Sequence, residues 1–81
     1  MTNEEAKELY IEAVKAFEAK DFEKSLSVFD QLDTARPNSR HVTYHRIVCM
    51  AHLGRKHEAR TDLEKIESKL EPEKVGELKR L

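Results

Sequence analysis

Apolar residues return every three or four positions from Ala6 onward, with charged residues filling the intervals, and that spacing predicts helices throughout. Ala6, Leu9, Tyr10, Ala13 and Phe17 share one face of a first helix running to about Ala19. Thr2, with Glu5 three residues later, has the form of a capping box at its start. Asp21 is a good N-cap for a second helix that carries Phe22, Ser25, Leu26, Phe29 and Leu32 inward. Pro37-Asn38 stops it and turns the chain. Ser39 can cap a third helix, with Tyr44, Ile47, Val48, Met50 and Ala51, and Gly54 is placed to end it in a left-handed conformation. A fourth helix follows with Ala59, Leu63, Ile66 and Leu70 inward. Glu71-Pro72 opens a short fifth, since proline is tolerated in a first helical turn.

The pattern repeats itself at an offset of 34 residues. Tyr10 falls on Tyr44, Ala13 on Ile47, Val14 on Val48, Phe29 on Leu63 and Leu32 on Ile66. Lys20 to Leu26 falls on Gly54 to Arg60, and Tyr44 in turn on Leu78. A phase shared by aromatic, small and aliphatic positions describes one helical hairpin used twice, with the beginning of a third. Each hairpin has an apolar face that it cannot cover alone, so neighbours should stack and cover one another. Ala13, Ser25 and Ala59 are the small residues at which helices are expected to approach most closely. Two units are few, because roughly three are usually needed for independent stability. Three outcomes are open: the fifth helix caps the stack, the end exposing Leu78 and Leu81 pairs with another chain, or further units follow.

These residues resemble the tetratricopeptide repeat family. In the first unit the resemblance rests on Ala13, Asp21-Phe22-Glu23-Lys24, Phe29 and Pro37-Asn38; in the second it rests on Tyr44, Leu53-Gly54, Glu58-Ala59, Leu63 and Pro72. It implies a single all-α domain over residues 1–81, a right-handed solenoid with repeats at 6–39 and 40–73 and a partial third at 74–81. The chain departs from the family pattern at Lys20, Ser25 and Ile47, and at Glu12 and Arg46, which stand where leucine is usual.

Composition sharpens the class. Charged and hydrophobic residues each make up 38% of 81 residues, with two Gly and no Trp. That mixture suits helices with solvated outer faces better than sheets. Regular apolar spacing and a net charge of −1 separate it from disordered chains. The single cysteine, Cys49, has no internal disulfide partner and no CxxC zinc pair exists. The acidic start lacks the form of a signal peptide, and no apolar run approaches the ~20 residues of a membrane span. A soluble cytoplasmic protein is the expectation. Charge is uneven along the chain: residues 1–35 carry net −5, and residues 36–60 carry net +5.

Candidate chemistry is sparse. No GxSxG, Walker, GxGxxG or HExxH motif is present, so a non-enzymatic role without cofactor is expected. His41, His45 and His52 share a stripe of the third helix, but His41 and His52 would lie about 16 Å apart at 1.5 Å rise per residue. Pairs such as His41 with His45 fall short of the three or four ligands zinc needs, which leaves a solvated or partner-facing stripe and no metal site. The basic residues between Arg36 and Arg60 are scattered without a dense run or stacking platform, which points to an acidic protein partner over nucleic acid.

The resemblance implies that the first helix of each hairpin lines a concave groove. By phase this assigns Lys7, Tyr10, Val14, Phe17 and Glu18 from the first unit and His41, Tyr44, Val48, Ala51 and His52 from the second, with Val75 and Leu78 from the third. Tyr10, Phe17 and Tyr44 could instead widen the core stripe. The basic and amide clamp that some relatives use for a terminal carboxylate is not matched, since Tyr10, Val14 and His45 occupy its positions. The groove suits an amphipathic helix or extended peptide carrying acidic residues. The expected function is therefore a protein–protein interaction module of scaffold, adaptor or co-chaperone-like type. A homo-oligomerisation module, joined through complementary charge or open ends, is the alternative.

Overall fold

In the computed structural model, which describes residues 2–37 and 39–80, the chain is all-helical, with no strand among the described residues. The elements are α1 (Asn3–Glu18), α2 (Phe22–Ala35), α3 (Arg40–His52), α4 (Lys56–Ile66) and α5 (Pro72–Lys79), with a 3₁₀ turn at Glu67–Lys69. Asn38 of the predicted turn and Leu81 of the predicted open end lie outside the described residues, as does Met1.

Helix ends follow the local chemistry closely. Thr2 Oγ1 accepts from the Glu5 N–H at 3.1 Å, and Asp21 Oδ1 accepts from the Lys24 N–H at 3.3 Å. Ser39 stands at the N-cap of α3, but its side chain makes no capping hydrogen bond. Helix α4 ends four residues short of Leu70. Pro72 disfavours helical backbone at the residue before it, and Glu71 is accordingly extended at ψ 146°. The chain leaves the helix through the 3₁₀ turn, and Leu70 packs on the core from an extended position.

The turns within the two hairpins are the same motif, 34 residues apart. After α1, the Lys20 N–H bonds to Phe17 O at 3.0 Å and the Asp21 N–H to Ala16 O at 2.9 Å. After α3, the Gly54 N–H bonds to Ala51 O at 3.2 Å and the Arg55 N–H to Met50 O at 2.8 Å. Both are Schellman closures, which require a left-handed residue just past the helix. Gly54 supplies it at φ 79°, while Lys20 is forced to φ 63°. A side chain in that region costs about 1–2 kcal/mol, partly offset in glycine by its looser unfolded state. Lys20→Gly is therefore expected to raise Tm by roughly 3–6 °C. Gly54→Ala should lower Tm through the backbone alone, because a Cβ there meets nothing within 4 Å. Differential scanning calorimetry checks both signs.

Burial repeats with the sequence. Ala13 and Ile47, Ser25 and Ala59, Phe29 and Leu63, and Leu32 and Ile66 are all buried. Tyr10 and Tyr44, Val14 and Val48, and Phe17 and Ala51 are all half-buried. At the closest approach of α1 and α2, Ser25 Oγ donates to the Ala13 carbonyl at 2.9 Å with both residues fully buried. A small side chain is needed there, and the hydroxyl fits because it finds an acceptor. The core has two lobes. One gathers Ala6, Ala13, Val28, Phe29, Leu32 and Val42; the other gathers Leu26, Ile47, Cys49, Met50, Ala59, Leu63, Ile66 and Leu78. Leu78 is only 5% exposed. The assignment of Leu78 to the groove is thus corrected, and of the three outcomes for this end an exposed Leu78 is not found: α5 turns the residue inward against the second hairpin.

Candidate functional site

Half-buried apolar side chains from α1 and α3 meet along one surface, and His45 is the residue that joins them. Its ring stacks on Phe29 at 5.0 Å between centroids. The rings of Tyr10 at 6.1 Å, Phe17 at 5.1 Å and Tyr44 at 5.6 Å stand edge-on to it. Such edge-to-face contacts favour defined ring orientations beyond simple burial. His45 Nδ1 lies 2.7 Å from the His41 carbonyl. A carbonyl only accepts, so Nδ1 donates and Nε2 is the unprotonated nitrogen of the neutral ring. Sequence reasoning places His45 in a solvated or partner-facing stripe and gives it no part in holding the aromatic side chains. The contact that recruits it is between α1 and α3, and no local spacing signals it.

The predicted groove residues divide into several sets. Tyr10, Phe17 and Tyr44 are gathered around His45. Val14 packs from the surface on the first core lobe and Val48 on the second. Lys7, Glu18, His41 and His52 are exposed. His52 lies face to face with Phe22 at 4.3 Å, and Phe22 stands edge-on to Phe17 at 5.7 Å. Ala51 borders a different and smaller cavity of about 70 Å³, with Ile47, Ala59 and Leu78. Val75 is half-buried.

Two open clefts flank the aromatic surface. One, of about 310 Å³, includes Asn3, Ala6, Lys7, Tyr10, Arg36 and His41 among its lining residues. The other, of about 410 Å³, includes Arg40, His41, Tyr44, His45, Lys69 and Lys74. Ala6, Lys7 and Tyr10 of the first correspond at 34 residues to Arg40, His41 and Tyr44 of the second, and His41 belongs to both. Lys74 Nζ lies over the Tyr44 ring at 5.5 Å from its centroid.

The distribution of positive charge differs from the sequence expectation. One cation of the +5 segment, Arg46, is neutralised within the fold. Arg46, 20% exposed at its side chain, meets Asp30 at 2.7 Å, Asp33 at 3.3 Å and Asp62 at 2.9 Å. Arg55 pairs with Glu58, and Arg36 donates to Asn3 Oδ1. The larger cleft takes only Arg40 of its three cations from that segment; Lys69 and Lys74 come from the connection into α5 and from α5 itself.

Cys49 is fully buried, and desolvation pushes its thiol above the ordinary range; a hydrogen bond with Ser25 partly lowers it and the charge of Asp30 adds to the rise. The thiol therefore stays protonated at neutral pH. Among the described residues, no three His, Cys, Asp or Glu side chains come together as metal ligands, and no helix is long and apolar enough to cross a membrane. Compared with protein-family models, with curated proteins and with solved structures, the chain matches none.

Proposed function

We propose that this chain is a non-enzymatic protein-interaction module of tetratricopeptide type, a right-handed solenoid of two hairpins with α5 as the start of a third. The recurrence of the Schellman turn, of the burial pattern and of the cleft lining at 34 residues supports that architecture. The observation that carries the function is the aromatic surface around His45. Tyr10, Phe17 and Tyr44 are held in place by packing yet remain half-buried, so further burial against a ligand is available to them. Aromatic side chains in that state are the usual anchors of an interface. The partner is a peptide or helix with acidic residues, since Arg40, Lys69 and Lys74 stand beside the anchors. A lone buried thiol suits a cytoplasmic setting.

Selection from a random-peptide display library tests the reading, followed by titration of the selected peptide against variants. Tyr44→Ala should weaken binding by about 1–2 kcal/mol, roughly 5- to 30-fold, and leave thermal stability nearly intact. Unchanged affinity with a lower Tm would return Tyr44 to the core and remove the proposed anchor.

Self-association is the second reading, favoured by Ile11, a large apolar side chain left 44% exposed on the acidic α1. Sedimentation across protein and salt concentrations decides it, because a monomer throughout excludes it.

A further inference from the structure

The 34-residue phase places Ile11, His45 and Lys79 at one equivalent position. His45 uses that position to pack on Phe17 and Phe29 of the hairpin before it. Among the described residues no hairpin precedes α1, and Ile11 is left exposed on its solvent face.

A recess of matching chemistry lies on the second hairpin. Phe17 and Phe29 correspond to Ala51 and Leu63, and both of these line the cavity of about 70 Å³ between α3, α4 and α5. Ile47, Ala59 and Leu78 complete an aliphatic floor. Lys79, the counterpart of His45 here, is exposed and pairs with Glu67 at 3.1 Å, so it leaves the space open. An apolar cavity of about 150 Å³ holds a benzene ring. This one has less than half that volume and suits a branched aliphatic side chain better than a ring.

Charge matches as well. Lys56 and Arg60 stand exposed one turn apart on α4 at the mouth of the cavity. Neither makes an ion pair with another side chain among the described residues. Helix α1 carries five glutamates against Lys7 and Lys15, and helical spacing sets Glu4 and Glu8 beside Ile11.

We infer that the cavity receives a second copy of this chain: Ile11 of one copy enters between Ala51 and Leu63 of the next, while Glu4 and Glu8 face Lys56 and Arg60. The contact repeats between chains the one that His45 makes within a chain, with an aliphatic side chain on an aliphatic floor. It rests on the self-association reading and adds the two surfaces that meet. Because those surfaces differ, chains add beyond a dimer unless the rotation closes a ring.

Sedimentation velocity tests this from about 20 µM to about 1 mM, since an interface centred on one side chain is weak. At low salt the average mass of the wild type should rise with concentration, and about 0.5 M salt should reduce the rise. Ile11→Ser, and separately Lys56→Glu with Arg60→Glu, should each weaken association at least tenfold. These side chains are exposed, and circular dichroism confirms that the variants fold. Mixed in equal amounts, the two variants should associate again and stop at a pair, since one keeps the cavity and the other keeps Ile11. In that mixture the Leu63 and Leu78 methyl NMR signals of the Ile11→Ser chain should shift. If the wild type associates but Ile11→Ser does so equally, or the mixture stays monomeric, the inference falls and self-association stands. A wild type that is monomeric throughout removes both.

Discussion

Phe29→Ala should lower the unfolding free energy by about 3–5 kcal/mol, a substantial fraction of the about 4–12 kcal/mol expected for a domain of this size. Phe29 is fully buried and touches Tyr10 edge-on at 6.0 Å as well as stacking on His45. Truncation removes the transfer free energy of the ring and leaves a cavity between the hairpins that helices cannot fully close. Urea denaturation followed by circular dichroism measures the loss. Phe29→Leu should cost only about 1–2 kcal/mol and keep the fold, since most of the buried volume remains. In that milder variant, the NMR signals of the Tyr10 and His45 rings should move, because both lose the aromatic face beside them. A cost below about 1 kcal/mol for the alanine variant would contradict the burial assigned to Phe29. Unmoved Tyr10 and His45 signals in the leucine variant would mean that the surface aromatics are held by something other than this ring.

Helix positions and turn chemistry were legible because they depend on residues close together in the chain. Thr2, Asp21, Gly54 and Pro72 each act within one turn of where they stand, and the structure uses all four as local rules require. The 34-residue phase also carried the burial of Ala13, Ser25, Phe29, Ala59 and Leu63. Side-chain meetings between helices were not legible. His45 looks like part of a solvated histidine stripe until α1 is laid against α3, and its ring then becomes the centre of four aromatic contacts. Leu78 was assigned to a groove by phase alone, but α5 folds back so that this side chain joins the cluster of Ile47, Leu63 and Ile66, where its burial is favourable. Charge was misread for a related reason. A count along the chain treats each cation as available, whereas Arg46 is committed to three carboxylates that the folded chain brings to it.

That commitment gives the second large effect. Arg46→Leu should destabilise the protein by about 2–3 kcal/mol, below the 3–5 usual for a fully buried pair because Asp30 and Asp33 remain partly hydrated. The damaging group is Asp62. Its side chain is 8% exposed, and its Oδ2 approaches Arg46 Nη1 at 2.9 Å without hydrogen-bond geometry. Lys65, 3.6 Å away on the exposed side, compensates only in part. Asp62 also stands 34 residues after Val28, a buried apolar position of the first hairpin. The second hairpin therefore holds an ion pair where the first holds a hydrocarbon contact. Replacing a buried pair by apolar residues of similar size is often neutral or stabilising, even though removing one partner alone is not. Asp62→Val alone should be mild, because Arg46 keeps Asp30 and Asp33. The double variant Arg46→Leu/Asp62→Val should recover at least about 2 kcal/mol relative to Arg46→Leu, which a denaturant double-mutant cycle reads directly. If the double variant is as unstable as the sum of the singles, then the contribution of Arg46 lies in its packed methylene stem and its bonds to α2, and the buried carboxylate is not the source of the loss.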